Sequence, residues 1–402
     1  MASGIKRKVL KNGMTVIFKE RKNKVVSVAF AVRFGGINET ASNKGIAHFI
    51  EHMLYKGTPT RNSKKIATEI EKNGGELNGF TSEQITAFWC KMPSKHIDVA
   101  LNVLSDMVKN PLFDQKELDK ERQVIFEEMK MYNDDPRMHV FDKIKSCMYK
   151  GDFAIPVIGT KESMNSNTQE KLRETFDRIY APQNMILCVV GDVSFDKICK
   201  FAEKNFIKKN IKKIEYPKLE LKNEELIEKR KSIDQANLIL AYHAPIPTSK
   251  EHTTAEVLNV IMAGGMSSRL FSEIREKRNL AYAVKGMSDG EKDYAYNMVY
   301  VGTTPENVET VKNLILEEFK KVAKSLDEKE LNQVKEQIIG NYLISQEDSH
   351  SVLMDLLVNE IIGDARKAED FAAKVKNVKL EDVRKMADIK KYSFFALVPE
   401  QS

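Results

Sequence analysis

Two histidines and a glutamate stand close together in the segment His48–His52, whose sequence is HFIEH. The residues around it, KGIAHFIEHMLY at 44–55, predict a helix. Each residue of a helix turns by about 100°, so the side chains of His48, Glu51 and His52 leave one face. Imidazoles hold Zn²⁺, and a catalytic zinc site keeps one position for water. A carboxylate beside that water can take its proton, which is the role expected of Glu51.

A third metal ligand is expected from a second predicted helix, DQKELDKERQVIFEEMKMY at 114–132. Glu121 and Glu128 are two helical turns apart, so they share a face with a drift of about 20°. We expect Glu128 to bind the metal together with the two histidines. Glu121 would then support one histidine from behind, as acceptors around metal sites commonly do. The neighbouring Glu127 is the alternative third ligand.

Each of these patterns also has a simpler interpretation. Histidines four residues apart occur by chance on surface helices, and an acidic helix face is commonly only solvated. The chain has seven histidines, and the five outside the pair are scattered singly. What favours a metal site is the histidine pair combined with a distant acid. The same ligand types would also suit Mn²⁺ or Co²⁺.

Several longer motifs extend along nearly the whole chain. After HFIEH come 75 residues and then Glu128 within ERQVIFEE, and HFIEH itself is part of HFIEHMLYKGT. With them occur GGINET, GGELNGFTSEQ, YAPQNMILCVVGDV and SSRLFSEIREKRNLAY. Together they resemble the inverted-zincin metallopeptidases of the pitrilysin and mitochondrial-processing-peptidase type, in the half-size prokaryotic form. The resemblance implies a zinc endopeptidase that hydrolyses extended or unfolded peptides in a closed chamber, with one Zn²⁺ per chain.

The resemblance also implies two substrate-binding features. Arg275 and Tyr282 in REKRNLAY would bind the substrate backbone and polarise the scissile carbonyl, since both are donors suited to a developing oxyanion. The strand at residues 78–81, which comprises Asn78, Gly79, Phe80 and Thr81, would be a sheet edge that pairs with an extended peptide. Relatives often carry Ala at the position of Gly79. The simpler alternatives are a surface arginine with a buried tyrosine, and a plain hairpin with a glycine bulge.

The order of predicted elements repeats along the chain and indicates an α+β fold of two homologous domains, each a sheet with a layer of helices. We predict a catalytic domain at 1–210, a charged linker at 211–231 and a second domain at 232–402. The clearest internal match pairs 114–132 with DEKELNQVKEQIIGNYLIS at 327–345. There Val334 replaces Glu121 and Asn341 replaces Glu128, so the second domain lacks these ligands and is expected to close over the substrate. The resemblance implies that the two domains of one chain, joined by the linker, together form half of a clam-like chamber.

Composition narrows the remaining choices. The net charge of +6 is spread through many Lys/Glu pairs without a basic block, which argues against nucleic-acid binding. Four cysteines lack CxxC spacing, no long apolar run exists, and the first residues MASGIKRKVLKNG lack the apolar core of a signal peptide. We therefore expect a cytoplasmic protein without a membrane anchor. The resemblance implies that half-size chains pair, and because one chain carries both HFIEH and REKRNLAY, a homodimer is expected. The alternative functions are a non-catalytic subunit and a peptide-binding scaffold.

Overall fold

A computed structural model describes residues 4–209, 211 and 214–400. The chain divides into two compact units. The first unit comprises Met1–Met129, Ile155–Lys218 and Ile344–Glu369. The second unit comprises Lys130–Ala154, Leu219–Leu343 and Asp370–Ser402. Each unit is built on one mixed sheet with helices, so the predicted α+β class and the presence of two such layers are confirmed.

The strands are β1 Ile5–Val9, β2 Thr15–Glu20, β3 Val25–Val32, β4 Gly57–Thr58, β5 Arg61–Asn62, β6 Glu76–Thr81, β7 Thr86–Pro93, β8 Met185–Gly191, β9 Glu225–Arg230, β10 Ala236–His243, β11 Ala281–Glu291, β12 Tyr294–Thr303 and β13 Ser393–Pro399. The α-helices are α1 Ile46–Leu54, α2 Ser63–Glu71, α3 Ile97–Lys109, α4 Gln115–Asp134, α5 Pro136–Met148, α6 Lys161–Ser166, α7 Gln169–Ile179, α8 Phe195–Asn205, α9 His252–Ala263, α10 Val308–Ser325, α11 Glu328–Ser345, α12 Ser349–Ile362, α13 Phe371–Lys376 and α14 Leu380–Met386. None of the helices in the described part of the chain combines the length and the apolar character needed to cross a membrane.

The two sheets share one pairing pattern. In the first unit the order is β1-β2-β8-β3-β7-β6, and in the second it is β11-β12-β10-β13-β9. In both, an edge hairpin pairs antiparallel with a buried strand, β3 or β10, which pairs antiparallel with β8 or β13. A parallel partner, β2 or β9, follows. Since helices α4 and α11 occupy equivalent places in the element order, the match between 114–132 and 327–345 reflects a duplicated fold.

Each unit takes one helix from the other half of the sequence. Helix α12 belongs to the first unit, where Ser349 Oγ lies 2.9 Å from Ser27 Oγ of β3. Its Glu360 carboxylate binds Arg7 and Arg33, at 2.7 Å each. Helix α5 belongs to the second unit, where the Ser393 hydroxyl donates to the carbonyl of Cys147 at 3.0 Å. The compact units are therefore not continuous in sequence, whereas the predicted boundaries at 1–210 and 232–402 describe the order along the chain.

The charge-dense stretch predicted as a linker at 211–231 includes a strand. Strand β9 pairs in parallel with β13 over six residues, from Glu225 opposite Phe394 to Arg230 opposite Pro399. Most of its side chains are exposed, because β9 is the outer strand of its sheet. Backbone pairing at an edge does not require the alternating apolar pattern of a half-buried strand, so composition alone did not reveal it.

Candidate metal centre

Helix α1 carries the HFIEH segment, and its start is fixed by an acid outside the helix. The carboxylate of Glu39 accepts the backbone N–H groups of Gly45 and Ala47 at 2.9 and 2.7 Å. Gly45 adopts a φ of 85°, a conformation that glycine reaches at little cost. Burial raises the pKa of Glu39 to about 7, although the nearby Lys44 ammonium lowers it. These contacts fix the first turn of α1, and His48 and His52 project from the helix one turn apart.

Helix α4 carries three glutamates near α1, and their side chains differ in solvent exposure. Glu121 is buried, Glu128 is half-buried and Glu127 is exposed. Leu118 and Ile125 of the same helix are fully buried and anchor it. The seven-residue spacing of Glu121 and Glu128 therefore puts both carboxylates on the side that faces α1, and Glu127 on the outer side.

The three predicted ligands converge in the first unit. Nε2 of His48 lies 3.7 Å and Nε2 of His52 lies 3.6 Å from Oε2 of Glu128. One ligand atom from each of these residues lies within 4.8 Å of the others, and this is the one such group among the described His, Cys, Asp and Glu residues. Zinc bonds of roughly 2.0–2.1 Å in a tetrahedron place ligand atoms about 3.4 Å apart. The donor set and its spacing thus fit a zinc ion after small closing movements.

Glu121 reaches His52 from the side away from Glu128. Its Oε2 lies 3.1 Å from Nδ1 of His52, and its Oε1 lies 2.5 Å from Nζ of Lys56. A hydrogen bond at Nδ1 fixes the orientation of the ring and leaves Nε2 directed toward the proposed metal position. Burial alone would lower the pKa of His52, but the hydrogen bonds to Glu121 and Glu128 raise it to about 9.

His48 has the opposite electrostatic character. Burial and then the neighbouring His52 lower its pKa to about 4, despite the attraction of Glu128. The two rings lie with their centroids 4.6 Å apart. The pKa values of the two neighbouring imidazoles are therefore shifted in opposite directions. A bound cation would take the place of the His52 proton, because metal ligands must be deprotonated.

Glu51 is buried beside the metal position and is held by the edge strand β6. The hydroxyl of Thr81 donates to Oε2 of Glu51 at 2.6 Å. Burial raises the pKa of Glu51, and the bond from Thr81 opposes that shift. β6 is the outer strand of its sheet and pairs only with β7 among the described strands. Of its other residues, Gly79 lies on the same face as Thr81, while Phe80 packs toward the α12 side and the exposed Asn78 accepts the N–H of Gly79.

Arg275 and Tyr282 lie side by side in the second unit. Arg275 lies in a π-helical stretch, Phe271–Glu276, and its guanidinium stacks 4.9 Å from the Phe271 ring. That guanidinium donates to the carbonyl of Tyr282 at 3.1 Å. Tyr282 is 45% exposed, and its hydroxyl donates to Asn237 at 3.4 Å. The exposed Arg275 guanidinium is therefore accessible, whereas the Tyr282 hydroxyl is directed at the buried Asn237.

Three contributions were not anticipated from the sequence. Glu39 caps the motif helix, Lys56 neutralises Glu121, and Thr81 holds Glu51 in addition to lying on the edge strand. The spacing could have revealed Lys56, because it follows His52 by four residues and so projects from the same side. Nothing local indicates Glu39, since its contact depends on how the GGINET turn folds back.

Comparisons with known proteins agree with this architecture. Residues 15–161 match the family described as insulinase (peptidase family M16), and residues 166–338 match the peptidase M16 inactive domain. The chain is 32% identical over 392 residues to the "Uncharacterized zinc protease YmxG" of Bacillus subtilis, covering 95% of both. It is 33% identical over 343 residues to an "Uncharacterized zinc protease" of Rickettsia felis, covering 84% of this chain and 83% of that one.

Among solved structures, a protease from Helicobacter pylori superposes with a TM-score of 0.92 at 22% identity, covering 99% of this chain and all of the other. That likeness establishes the fold. The sequence relatives span nearly the full length of both proteins, and they are named zinc proteases. The chain therefore belongs to peptidase family M16, as a half-size member among zinc-type peptidases.

Proposed function

We propose that this protein is a zinc-dependent endopeptidase that cleaves extended or unfolded peptides. The observation that carries the proposal is the convergence of His48, His52 and Glu128 beside the buried Glu51. One zinc ion per chain would be held by these three ligands. When bound, zinc supplies Lewis-acid chemistry that makes water more acidic and polarises a carbonyl group.

Glu51 acts as the general base and then the general acid. Its carboxylate accepts a proton from the attacking water and passes it to the leaving amine as the peptide bond breaks. Its raised pKa suits this shuttle, because a base that is too acidic would not hold the proton between the two steps. Thr81 keeps Oε2 in place, so the carboxylate does not need to reorganise during the reaction.

The substrate enters as an added strand. The outer edge of β6 offers backbone groups to which an extended peptide chain can pair. Such pairing ignores side-chain identity and excludes folded segments, which explains a preference for unfolded peptides. Arg275 and Tyr282 would bind the substrate backbone and the developing oxyanion from the other half of the protein.

The assembly proposed for this reaction is a homodimer in the cytoplasm. The chain carries both the metal-site residues and the Arg275/Tyr282 pair, so two copies could enclose a chamber without a specialised partner. Residues 232–402 carry no second HxxEH segment, consistent with the match to an inactive domain and with a role in closing over the substrate.

The test is Glu51→Gln, assayed for bound zinc and for cleavage of an unstructured fluorogenic peptide. The variant keeps all three ligands but cannot accept the proton, so zinc should stay bound and turnover should fall by about 10²–10⁴-fold. Retained turnover would refute the assigned base. A second candidate function, a non-catalytic or peptide-holding subunit of the same fold, predicts peptide binding by the wild type without chelator-sensitive cleavage.

A further inference from the structure

Gly79 of β6 leaves space for the hydroxyl group of Tyr55, the residue that directly follows α1. A Cβ placed on Gly79 would lie 2.7 Å from the hydroxyl oxygen of Tyr55 and 3.2 Å from Oε1 of Glu51. It would also lie 2.9 Å from the carbonyl oxygen of Ala87. Contacts between a methyl carbon and an oxygen that are shorter than about 3 Å are repulsive. Alanine therefore does not fit at position 79 while Tyr55 and Ala87 keep their places.

Tyr55 has little freedom to move away. Its ring packs against the fully buried Phe88 of β7, with ring centroids 5.8 Å apart. Its hydroxyl oxygen is buried and has no hydrogen-bond partner among the described residues. Burial, with the nearby Glu51 carboxylate, raises the pKa of this phenol. A neutral phenolic hydroxyl and Oε1 of Glu51, the oxygen that Thr81 does not bond, thus both lie close to the place that a Cβ of residue 79 would take.

We propose that Tyr55 and Gly79 form a matched pair that positions Glu51. Thr81 holds Oε2, while the Tyr55 hydroxyl and Oε1 both lie next to the place that a Cβ of residue 79 would take. Glycine is needed at 79 because a side chain there would displace either the phenol or the carboxylate. Gly79 therefore acts through Glu51, by leaving that place free, and is a positioning residue, whereas the Tyr55 hydroxyl is the group that makes a side chain at 79 costly. The catalytic part of the inference rests on the proposed peptidase function.

The test is a double-mutant cycle of Gly79→Ala and Tyr55→Phe. Gly79→Ala should lower the melting temperature of the metal-free protein and lower kcat about 10- to 100-fold, with a small change in KM and unchanged zinc content. Tyr55→Phe removes the oxygen that the new methyl group would meet. In the double variant, Tyr55→Phe should therefore recover at least half of the lost melting temperature and most of the lost kcat. Recovery is partial because the Ala87 carbonyl remains.

The matched control is Tyr180→Phe combined with Gly79→Ala. Tyr180 is another buried phenol whose hydroxyl has no hydrogen-bond partner among the described residues, but it is not one of the three atoms nearest the new methyl group. It should give no rescue. Gly79→Ala with wild-type melting temperature and kcat, or equal rescue by both phenylalanine variants, would overturn the proposal. The melting-temperature cycle keeps its meaning in a protein without peptidase activity, so the two proposals can fail separately.

Discussion

Removing the carboxylate behind His52 should weaken zinc binding without removing a ligand. Glu121 lies within hydrogen-bond distance of Nδ1 of His52, at 3.1 Å, and so can hold the ring with Nε2 directed at the metal position. Loss of such a contact behind a ligating histidine typically weakens metal binding about 10- to 100-fold. Glu121→Ala should therefore raise the zinc dissociation constant by roughly 10- to 100-fold, which corresponds to about 1.4–2.8 kcal/mol. Glu121→Gln keeps an oxygen that can accept this hydrogen bond, so its zinc dissociation constant should lie between those of the wild type and Glu121→Ala.

The assay is competition for zinc with a chromophoric chelator, at matched protein concentration. The control is Glu117→Ala on the same helix, whose half-buried side chain pairs with Lys120 at 2.6 Å and lies outside the metal cluster. This variant should bind zinc like the wild type. Thermal unfolding of each metal-free variant verifies that the fold is intact. If Glu121→Ala and Glu117→Ala bound zinc equally well, the support assigned to Glu121 would be refuted.

Three further outcomes follow from individual contacts. Glu360→Ala should lower the free energy of unfolding by about 3 kcal/mol, because it leaves Arg7 and Arg33 without their shared buried partner. Calorimetry should show a lower melting temperature, and an unchanged melting temperature would contradict the ion-pair network. Gly340→Ala should stabilise α11 by about 0.5–1 kcal/mol in denaturant unfolding, since no described atom beyond its chain neighbours and its own helix backbone lies within 4 Å of the added carbon. A destabilised variant would contradict this reasoning. Tyr282→Phe should lower kcat about 10²–10³-fold with zinc retained, and an unchanged kcat would remove this hydroxyl from the reaction.

Much of the metal centre could be predicted because its information is local. The helical repeat alone puts His48 and His52 on one face and aligns Glu121 with Glu128. That these two faces meet depends on how α1 and α4 pack, which periodicity does not state. The family resemblance supplied that step, and the distances between Glu128 and the two imidazoles agree with it.

The assignment of helices α5 and α12 to their compact units could not be predicted from the sequence. Segments α5 and α12 follow their neighbours without a break in composition, so contiguous domains were the natural prediction. Their assignment to units depends on long-range contacts, such as Ser27 with Ser349 and His139 with Glu228 at 2.9 Å. A side chain's own helix gives no sign of which sheet it will cover. Burial of α12 is therefore a property of the folded unit and not of its sequence pattern.

The closeness of Tyr55 and Gly79 likewise depends on long-range packing and not on the local sequence. The sequence shows position 79 as a departure from relatives that carry Ala, but nothing in the neighbouring residues gives the reason. The structure supplies a steric reason, because a phenolic oxygen occupies the space that a methyl group would need. Tyr55 and Gly79 are 24 positions apart and constrain each other only after β6 has packed against α1.

The most direct test of the central claim is the zinc content of Glu128→Gln beside Glu127→Gln, measured after dialysis at equal protein concentration. Glu128 faces the two imidazoles, whereas its neighbour Glu127 is exposed on the outer side of the same helix. The account predicts that Glu128→Gln loses bound zinc and that Glu127→Gln retains one ion per chain. Full zinc retention by Glu128→Gln, or loss from Glu127→Gln alone, would contradict it.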